Sequence, residues 1–140
     1  MRWILLDKVL EMNPGVAAKG VRCFTRAEML FMDHFPGFPI VPGVLQIEMI
    51  AQLGGRCIRA SRSDILTVLG SVQNAKFRKN ITPGDQAIIH AEVTAIRSSY
   101  SSVKGWIEVN GEVVCEAEVR YGHVQIPREM RDKAQPEMLQ

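Results

Sequence analysis

One long helix is predicted over residues 43–60, directly after a loop that holds three prolines. Pro36, Pro39 and Pro42 each fix their own φ angle and disfavour helical geometry in the residue before them. After Pro42 the prolines stop, and apolar residues recur at helical spacing. The chain therefore predicts a rigid loop that leads into one long, largely buried helix.

Most of the remaining chain alternates apolar and polar residues, which is typical of strands with one buried face. The predicted strands cover residues 3–10, 16–25, 66–78, 86–98, 101–109 and 112–121. A turn at Asn13-Pro14-Gly15 joins the first two, and Asn110-Gly111, a strong hairpin signal, joins the last two. We expect residues 26–33 to form a short helix or an irregular connection. The pattern indicates an α+β protein with antiparallel strands around one helix.

Two adjacent glycines, Gly54 and Gly55, lie inside the predicted helix. Each costs about 1 kcal/mol relative to alanine, so a specific contact is expected to require them. We expect another backbone to approach the helix closely at this point, as it would if a sheet wrapped around the helix.

Length and charge narrow the class of protein. The 140 residues provide one core and leave no room for a second domain. The net charge of +2 is too small to indicate a nucleic-acid partner, and no run of Lys and Arg forms a basic arm. The sequence contains no signal peptide and no apolar run of membrane-spanning length, so no membrane association is expected.

The cysteines indicate the redox environment. Cys23, Cys57 and Cys115 are odd in number, and none has a second cysteine at metal-ligand spacing. Because disulfides are rare in reducing compartments, the pattern favours free thiols. We therefore expect a cytoplasmic protein without a bound metal.

One histidine and one carboxylate stand out around the helix start. His34 lies on the proline loop, and Glu48 lies in the helix among residues that are mostly apolar or amidic. A carboxylate on a mostly buried surface is usually paired, hydrogen-bonded or protonated. Together the two side chains are the parts of an acid/base site. Each alone also fits a structural role, with Glu48 bonded to backbone amides or His34 to a backbone carbonyl.

Two stretches of the sequence carry a family resemblance. The first comprises His34-Phe35-Pro36-Gly37, Pro42-Gly43-Val44-Leu45, Glu48 and Ala51-Gln52; the second comprises Asn74-Ala75-Lys76-Phe77-Arg78-Lys79 and Pro83-Gly84-Asp85. Together they resemble the β-hydroxyacyl-acyl-carrier-protein dehydratases of bacterial type II fatty acid synthesis. The resemblance implies a hot dog fold, in which a curved antiparallel sheet wraps a long central helix and two protomers form one continuous sheet. It assigns residues 1–126 to one such domain and leaves residues 127–140 as a polar tail.

The implied reaction removes water from a β-hydroxyacyl thioester and needs a base, a proton donor and an oxyanion stabiliser. The resemblance assigns the base to His34, the acid to Glu48 and the oxyanion donor to the N–H of Gly43, and it implies no cofactor. An N–H at a helix start has no intrahelical partner and lies at the positive end of the helix dipole. The resemblance also implies that His34 of one protomer meets Glu48 of the other in a dimer or a trimer of dimers.

Further residues are expected around this site. Five apolar residues are expected to line an acyl tunnel: Phe35, Phe38, Val41, Leu45 and Ile50. The alternative is that they are ordinary core residues. Those expected to attract an acidic acyl carrier protein are Lys76, Arg78 and Lys79, with Arg56, Arg59 and Arg62 as a second patch. The alternative for the first cluster is a solvated strand face, with Phe77 alternating as a core residue would.

Two other functions are compatible with the same fold. A thioesterase of the same fold would use its helix carboxylate to activate water, but it would not need His34 on the loop. A non-catalytic acyl-binding protein would not need His34, Gly43 and Glu48 together. Phe38 stands where many relatives carry a polar residue, so it is expected to narrow the mouth of the site or change the partner. His90 and His123 are expected to have surface or structural roles.

Overall fold

The predicted strands form one open antiparallel sheet beside the long helix. The structure is a computed structural model that describes residues 4–131. The strands are β1 (Lys8–Asn13), β2 (Ala17–Cys23), β3 (Ile65–Phe77), β4 (Gln86–Ile96), β5 (Tyr100–Val109) and β6 (Glu112–Gln125). The helices are α1 (Leu30–Asp33), α2 (Gly43–Ser61) and α3 (Arg128–Arg131). Across the sheet the strand order is β1-β2-β4-β5-β6-β3, and every neighbouring pair is antiparallel.

Helix α2 begins where the prolines end, as predicted. Pro42 is extended (φ −56°, ψ 139°), and its carbonyl accepts hydrogen bonds from the N–H groups of Leu45 and Gln46 at 3.1 and 3.2 Å. At the other end, the N–H of Arg62 donates to the carbonyl of Ile58 at 3.0 Å and closes the last turn. The helix position is therefore set by local features of the sequence.

The core lies between α2 and one face of the sheet, and α2 contacts all six strands. Its completely buried apolar side chains are Met49, Ile50, Leu53, Cys57 and Ile58. Completely buried strand residues include Ile89, Val103, Ile107 and Val119. Burial of one such large apolar side chain stabilises the fold by about 1.5–3 kcal/mol. The apolar helix and the alternating strands therefore account for the architecture together.

The prediction that a backbone approaches the glycine pair is wrong for Gly54. A Cβ atom at Gly54 would lie 2.5 Å from the hydroxyl oxygen of Tyr121 and 2.8 Å from Cγ2 of Val103. Side chains of the sheet, and not a backbone, therefore require glycine at this position. Gly105 on β5 has the complementary role, because a Cβ atom there would collide with Cγ2 of Ile50 on α2.

Replacing Gly105 by alanine is expected to destabilise the fold by about 1–3 kcal/mol, because the added methyl group overpacks the contact with α2. Besides Ile50, that methyl group would meet the carbonyl oxygen of His90 at 3.0 Å. The matched control is Gly122→Ala on β6, where the nearest atom to the new Cβ would be the carbonyl oxygen of Val68 at 4.0 Å. Urea unfolding of both variants measures the difference, and equal free energies of unfolding would contradict the packing argument.

The first strand begins later than predicted. Residue 3 lies outside the described residues, residues 4–7 are not in a strand, and β1 begins at Lys8. The adjacent residues Leu5 and Leu6 are both buried, with 2% and 5% exposure. A strand with one buried face cannot bury two successive side chains, because they point to opposite faces. The segment before β1 therefore packs on the core without strand geometry.

Both predicted turns are confirmed. Gly15 has a φ of 73° in the turn between β1 and β2. Asn110 and Gly111 have φ angles of 52° and 79°, the pair of positive values that a tight hairpin between β5 and β6 requires. At the other end of β6, α3 follows within the predicted tail, and residues 132–140 lie outside the described residues. The division at residue 126 therefore stays a prediction.

Strand β3 forms one edge of the described sheet and pairs there with β6. Its large apolar side chains Val68, Leu69, Val72 and Phe77 are 38–52% exposed. An edge strand with unpaired backbone groups and exposed apolar side chains is a surface suited to pairing with another strand.

Candidate active site

The His34 loop is held by its own backbone. Phe35 N–H donates to the carbonyl of Phe38 at 2.9 Å, and Phe38 N–H donates to the carbonyl of Phe35 at 2.8 Å. Gly37 supplies the positive φ of 76° that this tight turn needs. Ile40 N–H donates to the carbonyl of His34 at 2.9 Å and closes the loop. The loop therefore presents His34 from a fixed backbone, as the three prolines predict.

The imidazole of His34 is half-buried and stacks on the ring of Phe35, with 4.0 Å between the ring centroids. Behind the loop, Val41 N–H donates to the carbonyl of Ile81 at 2.8 Å, which ties the loop to the segment before β4. The ring stacking limits the orientations that the imidazole can adopt. The arrangement fits a base that must meet a substrate proton in one direction.

The backbone N–H of Gly43 is available at the start of α2. No described residue accepts a hydrogen bond from this group, as expected for the first N–H of a helix. The ring of Phe77 lies beside it, because a Cβ atom at Gly43 would be 3.0 Å from Cε1 of Phe77. Phe77 is 52% exposed, so the expectation that it alternates as a core residue is wrong. A substrate oxygen that reached Gly43 would meet a positive helix end beside an aromatic wall.

Glu48 lies one turn and a half into α2 and is half-buried, so the surface around it is less buried than its apolar neighbours predict. Its Oε1 accepts a hydrogen bond from Nε2 of Gln52 at 3.1 Å. Oε1 of Gln52 in turn accepts the backbone N–H of Leu5 at 2.8 Å. The sequence motif includes Gln52 but assigns no role to it. The signal in the sequence is the spacing of four residues between Glu48 and Gln52, which places both side chains on one face of the helix.

Within one chain, no hydrogen bond or ion pair between described residues joins His34 to Glu48. His34 belongs to the loop before α2, and Glu48 bonds instead to its own helix through Gln52. The two groups that the acid/base hypothesis requires are therefore not joined by a direct bond among the described residues of one protomer.

Tyr121 is a polar residue of this region that sequence reasoning missed. Its hydroxyl donates to the carbonyl of Ala51 at 2.7 Å, one helical turn after Glu48. Burial raises the pKa of Tyr121 far above its ordinary value, and Glu48, when ionised, acts in the same direction. Tyr121 is therefore a neutral hydrogen-bond donor that anchors the middle of α2 to the sheet.

The predicted tunnel residues separate into two groups. Val41 and Ile50 are buried, with 2% and 0% exposure, and Leu45 is half-buried beside them in the sequence. Phe35 and Phe38 are 48% and 62% exposed on the loop. The two phenylalanines thus lie at the protein surface, while the aliphatic residues belong to the interior.

The basic cluster at the end of β3, formed by Lys76 on the strand and by Arg78 and Lys79 just after it, is matched by acidic residues of β6. Arg78 and Lys76 lie 2.9 and 3.9 Å from Glu116, and Lys79 pairs with Glu112. All three basic side chains are at least half exposed. Glu112 and Glu116 therefore partly neutralise the positive charge of these side chains, which are nevertheless exposed to solvent.

The second patch is less accessible than predicted. Arg59 is 7% exposed, and its Nε donates to the carbonyl of Gly55 at 3.2 Å. Burial lowers the pKa of Arg59 to about 10, with Arg56 adding to the effect, so the guanidinium is still charged at neutral pH. Arg62 is bound to Asp64 at 2.9 Å. The helix packing that buries Arg59 could not be read from its sequence position.

The remaining histidines make structural contacts. His90 stacks on Trp106 with 4.8 Å between centroids, and His123 lies 2.9 Å from the hydroxyl of Ser101. Among residues 4–131, no group of His, Cys, Asp and Glu side chains could hold a metal ion. In the same part of the chain, no helix is long and apolar enough to cross a membrane.

Comparison with known proteins gives a consistent group of relatives. The family model for ApeI-like proteins, described as ApeI dehydratase, matches residues 17–112. The 3-hydroxyacyl-(acyl-carrier-protein) dehydratase FabZ of Clostridium acetobutylicum is 41% identical over 120 residues, which cover 84% of this chain and 85% of that protein. FabZ of Bacillus subtilis is 36% identical over 121 residues, which cover 85% of this chain and 86% of that protein.

Solved structures share the fold at lower sequence identity. The ApeI:P dehydratase heterocomplex of Xenorhabdus doucetiae aligns with a TM-score of 0.72 and 19% identity, covering 94% of this chain and 88% of that chain. Zebra fish thioesterase superfamily member 2 aligns with a TM-score of 0.68 and 13% identity, covering 82% of this chain and 79% of that chain. These neighbours confirm the hot dog architecture of one central helix and a six-stranded antiparallel sheet.

Proposed function

The chain belongs to the hot dog dehydratases that include the FabZ enzymes, and we propose that it converts (3R)-hydroxyacyl-acyl-carrier-protein to trans-2-enoyl-acyl-carrier-protein and water. The reaction is a step of fatty acid biosynthesis. The observation that carries the proposal is the 41% identity to a FabZ dehydratase over 84% of the chain. The family match at residues 17–112 includes His34, Gly43 and Glu48.

The proposed chemistry uses three groups. His34 removes the proton from C2 of the substrate, and the N–H of Gly43 donates to the thioester oxygen as negative charge develops there. Glu48 delivers a proton to the hydroxyl on C3, directly or through a water molecule. The C2–H and C3–O bonds break, the C2=C3 double bond forms, and water leaves. The proton that His34 has gained then restores Glu48 for the next turnover.

We assign His34 and Glu48 of each site to different protomers of a homodimer. Two observations support this assignment: no bond joins the two groups within a chain, and the β3 edge exposes apolar side chains that a second copy would cover. Pairing of β3 with β3 of a second protomer would continue the sheet and give two equivalent sites. Association of such dimers into a trimer of dimers is part of the same proposal.

The acyl chain is assigned to the residues predicted for a tunnel. Val41, Leu45 and Ile50 would form its inner wall, because they are buried or half-buried just before α2 and in its first turns. Phe35 and Phe38 would form its mouth, because they are exposed on the His34 loop. Phe38 is thus placed to influence which substrate enters.

Carrier docking is assigned to Lys76, Arg78 and Lys79, which precede the turn that leads to β4. Their exposure supports an encounter role with an acidic partner, although Glu112 and Glu116 reduce the local positive charge. Such charges act over roughly 10 Å at about 0.1 M salt.

Reversing Arg78 and Lys79 to glutamate is expected to raise KM for carrier-linked substrate, more at low salt than at high salt, because the variant repels the carrier. KM for a short pantetheine-linked substrate is expected to stay unchanged. Arg97→Glu, at an exposed residue directly after β4, is the control for a general charge effect. Equal losses on both substrates would assign the two residues to the fold or the active site, and no loss on either would place docking elsewhere.

A single assay separates the proposed reaction from its alternatives. A β-hydroxyacyl thioester is incubated with the protein while enoyl absorbance and free thiol are followed together. Enoyl formation without thiol release is expected for the dehydratase. Thiol release would indicate a thioesterase, and neither signal would indicate an acyl-binding protein.

We also assign the protein to the cytoplasm, where its substrate class would be made. Within the described residues Cys23, Cys57 and Cys115 form no disulfide. Burial raises the pKa of both Cys57 and Cys115, to about 12 for the latter, so these thiols stay protonated and unreactive at neutral pH.

A further inference from the structure

We propose that Gln52 is a positioning residue for Glu48, and that the segment before β1 holds Gln52 through the backbone N–H of Leu5. The proposal rests on the role assigned to Glu48 above. It adds a chain of two hydrogen bonds that links residues 47 positions apart, from Leu5 to Gln52 and from Gln52 to Glu48.

The two ends of the Gln52 amide are distinguished by their partners. The N–H of Leu5 can only donate, so the Gln52 atom at 2.8 Å from it must be the oxygen. The atom at 3.1 Å from Glu48 is therefore the amide nitrogen, which can only donate. A flipped amide would place its NH₂ group against a backbone N–H, so Leu5 fixes the orientation of Gln52.

This orientation gives the two carboxylate oxygens of Glu48 different roles. Oε1 accepts the N–H of Gln52, so a proton on Glu48 lies on Oε2. Oε2 is then the oxygen that delivers the proton to the leaving hydroxyl. Because Gln52 is only 6% exposed, bulk water competes little for its hydrogen bonds.

The segment before β1 is held firmly enough to act as an anchor. Leu5 and Leu6 are buried at 2% and 5% exposure. The next residue, Asp7, donates its N–H to the carbonyl of Val21 at 2.8 Å. The donor that orients Gln52 therefore belongs to a packed segment, although it lies outside the sheet.

A purely structural role for Gln52 predicts a different outcome from a positioning role. If Gln52 only satisfies the buried N–H of Leu5, its loss lowers stability and leaves the pH dependence of the reaction unchanged. If it positions Glu48, its loss also changes kcat and the pH profile, because a donor to the ionised carboxylate is removed.

The test compares Gln52→Leu with Gln52→Glu. Gln52→Leu is expected to lower kcat by about 10- to 100-fold with little change in KM, since misplacement of a reacting group by about 1 Å has effects of this size. The alkaline limb of its kcat/KM profile should move to higher pH. Gln52→Glu should regain activity relative to the wild-type protein at the same pH as the pH falls, because a protonated carboxyl can donate to Glu48 and still accept from Leu5. Wild-type kcat and an unshifted profile in a folded Gln52→Leu variant would overturn the proposal.

A second pair of variants tests the anchor without changing Gln52. Leu5→Pro removes the donating N–H and is expected to reproduce the pH profile of Gln52→Leu. Leu6→Pro makes the same change at a neighbouring buried leucine whose N–H bonds to none of the described residues. Thermal unfolding is measured for both, so that loss of folding is recognised. Equal pH profiles in the two proline variants would count against the anchor.

Glu48→Gln, measured in parallel, separates this proposal from the assigned function. If Glu48→Gln is inactive while Gln52→Leu behaves as wild type, only the positioning role fails. If Glu48→Gln keeps a near-normal rate, the assigned role of Glu48 fails and the positioning role fails with it.

Discussion

Replacing His34 by alanine, or Glu48 by glutamine, is expected to lower kcat by at least about 100-fold while the fold stays intact. Each change removes a proton-transfer group and leaves the core unaltered, because both side chains are only half-buried. Glutamine at position 48 can still accept the hydrogen bond from Gln52, so the local structure is kept. The rate of enoyl formation from a β-hydroxyacyl thioester measures the effect.

The control for this experiment is Glu92→Gln, which removes an exposed carboxylate on β4. It is expected to leave kcat unchanged. Circular dichroism and thermal unfolding establish that all variants are folded. A near-normal rate in either His34→Ala or Glu48→Gln would remove that residue from the mechanism.

The parts of the fold that depend on local sequence were predicted well. The three prolines and the apolar spacing after them predict a helix over residues 43–60, and α2 spans Gly43–Ser61. The alternation of apolar and polar residues predicts the ends of the strands after α2 to within a few residues, because one face of each strand lies on the core. The largest difference there is at β6, which continues to Gln125 because its last residues pair with the start of β3.

Features that depend on tertiary contacts were not predicted. The late start of β1 follows from the packing of two adjacent leucines, and Gly54 is required by side chains that lie far away in the sequence. The exposure of Phe77 follows from the position of β3 at a sheet edge, which alternation alone does not reveal.

The candidate site divides in the same way. The motif around the helix start predicts His34, Gly43 and Glu48 as candidate residues, and their roles come from the family resemblance and stay a prediction. The bond from Leu5 to Gln52 joins residues 47 positions apart, so only the folded chain reveals it. The meeting of His34 with Glu48 is proposed for an assembly of two chains, so the contacts within one protomer do not show it.

Mixing inactive His34→Ala protomers with inactive Glu48→Gln protomers is expected to restore activity. In a mixed dimer, one site combines an intact His34 from the second variant with an intact Glu48 from the first. Random exchange of subunits makes about half of the dimers mixed, each with one working site of two, so the recovered rate is about a quarter of the wild-type rate. The rate is followed after partial unfolding and refolding of the mixture.

The assembled site is tested most directly by this recovered rate, measured together with subunit exchange. Exchange is monitored with one variant carrying a mass tag, and unmixed samples of each variant go through the same refolding steps. Activity is expected to rise in parallel with the fraction of mixed dimers, while each variant alone stays inactive. Complete exchange with no recovered activity would contradict the shared site and place His34 and Glu48 of each active centre in one chain.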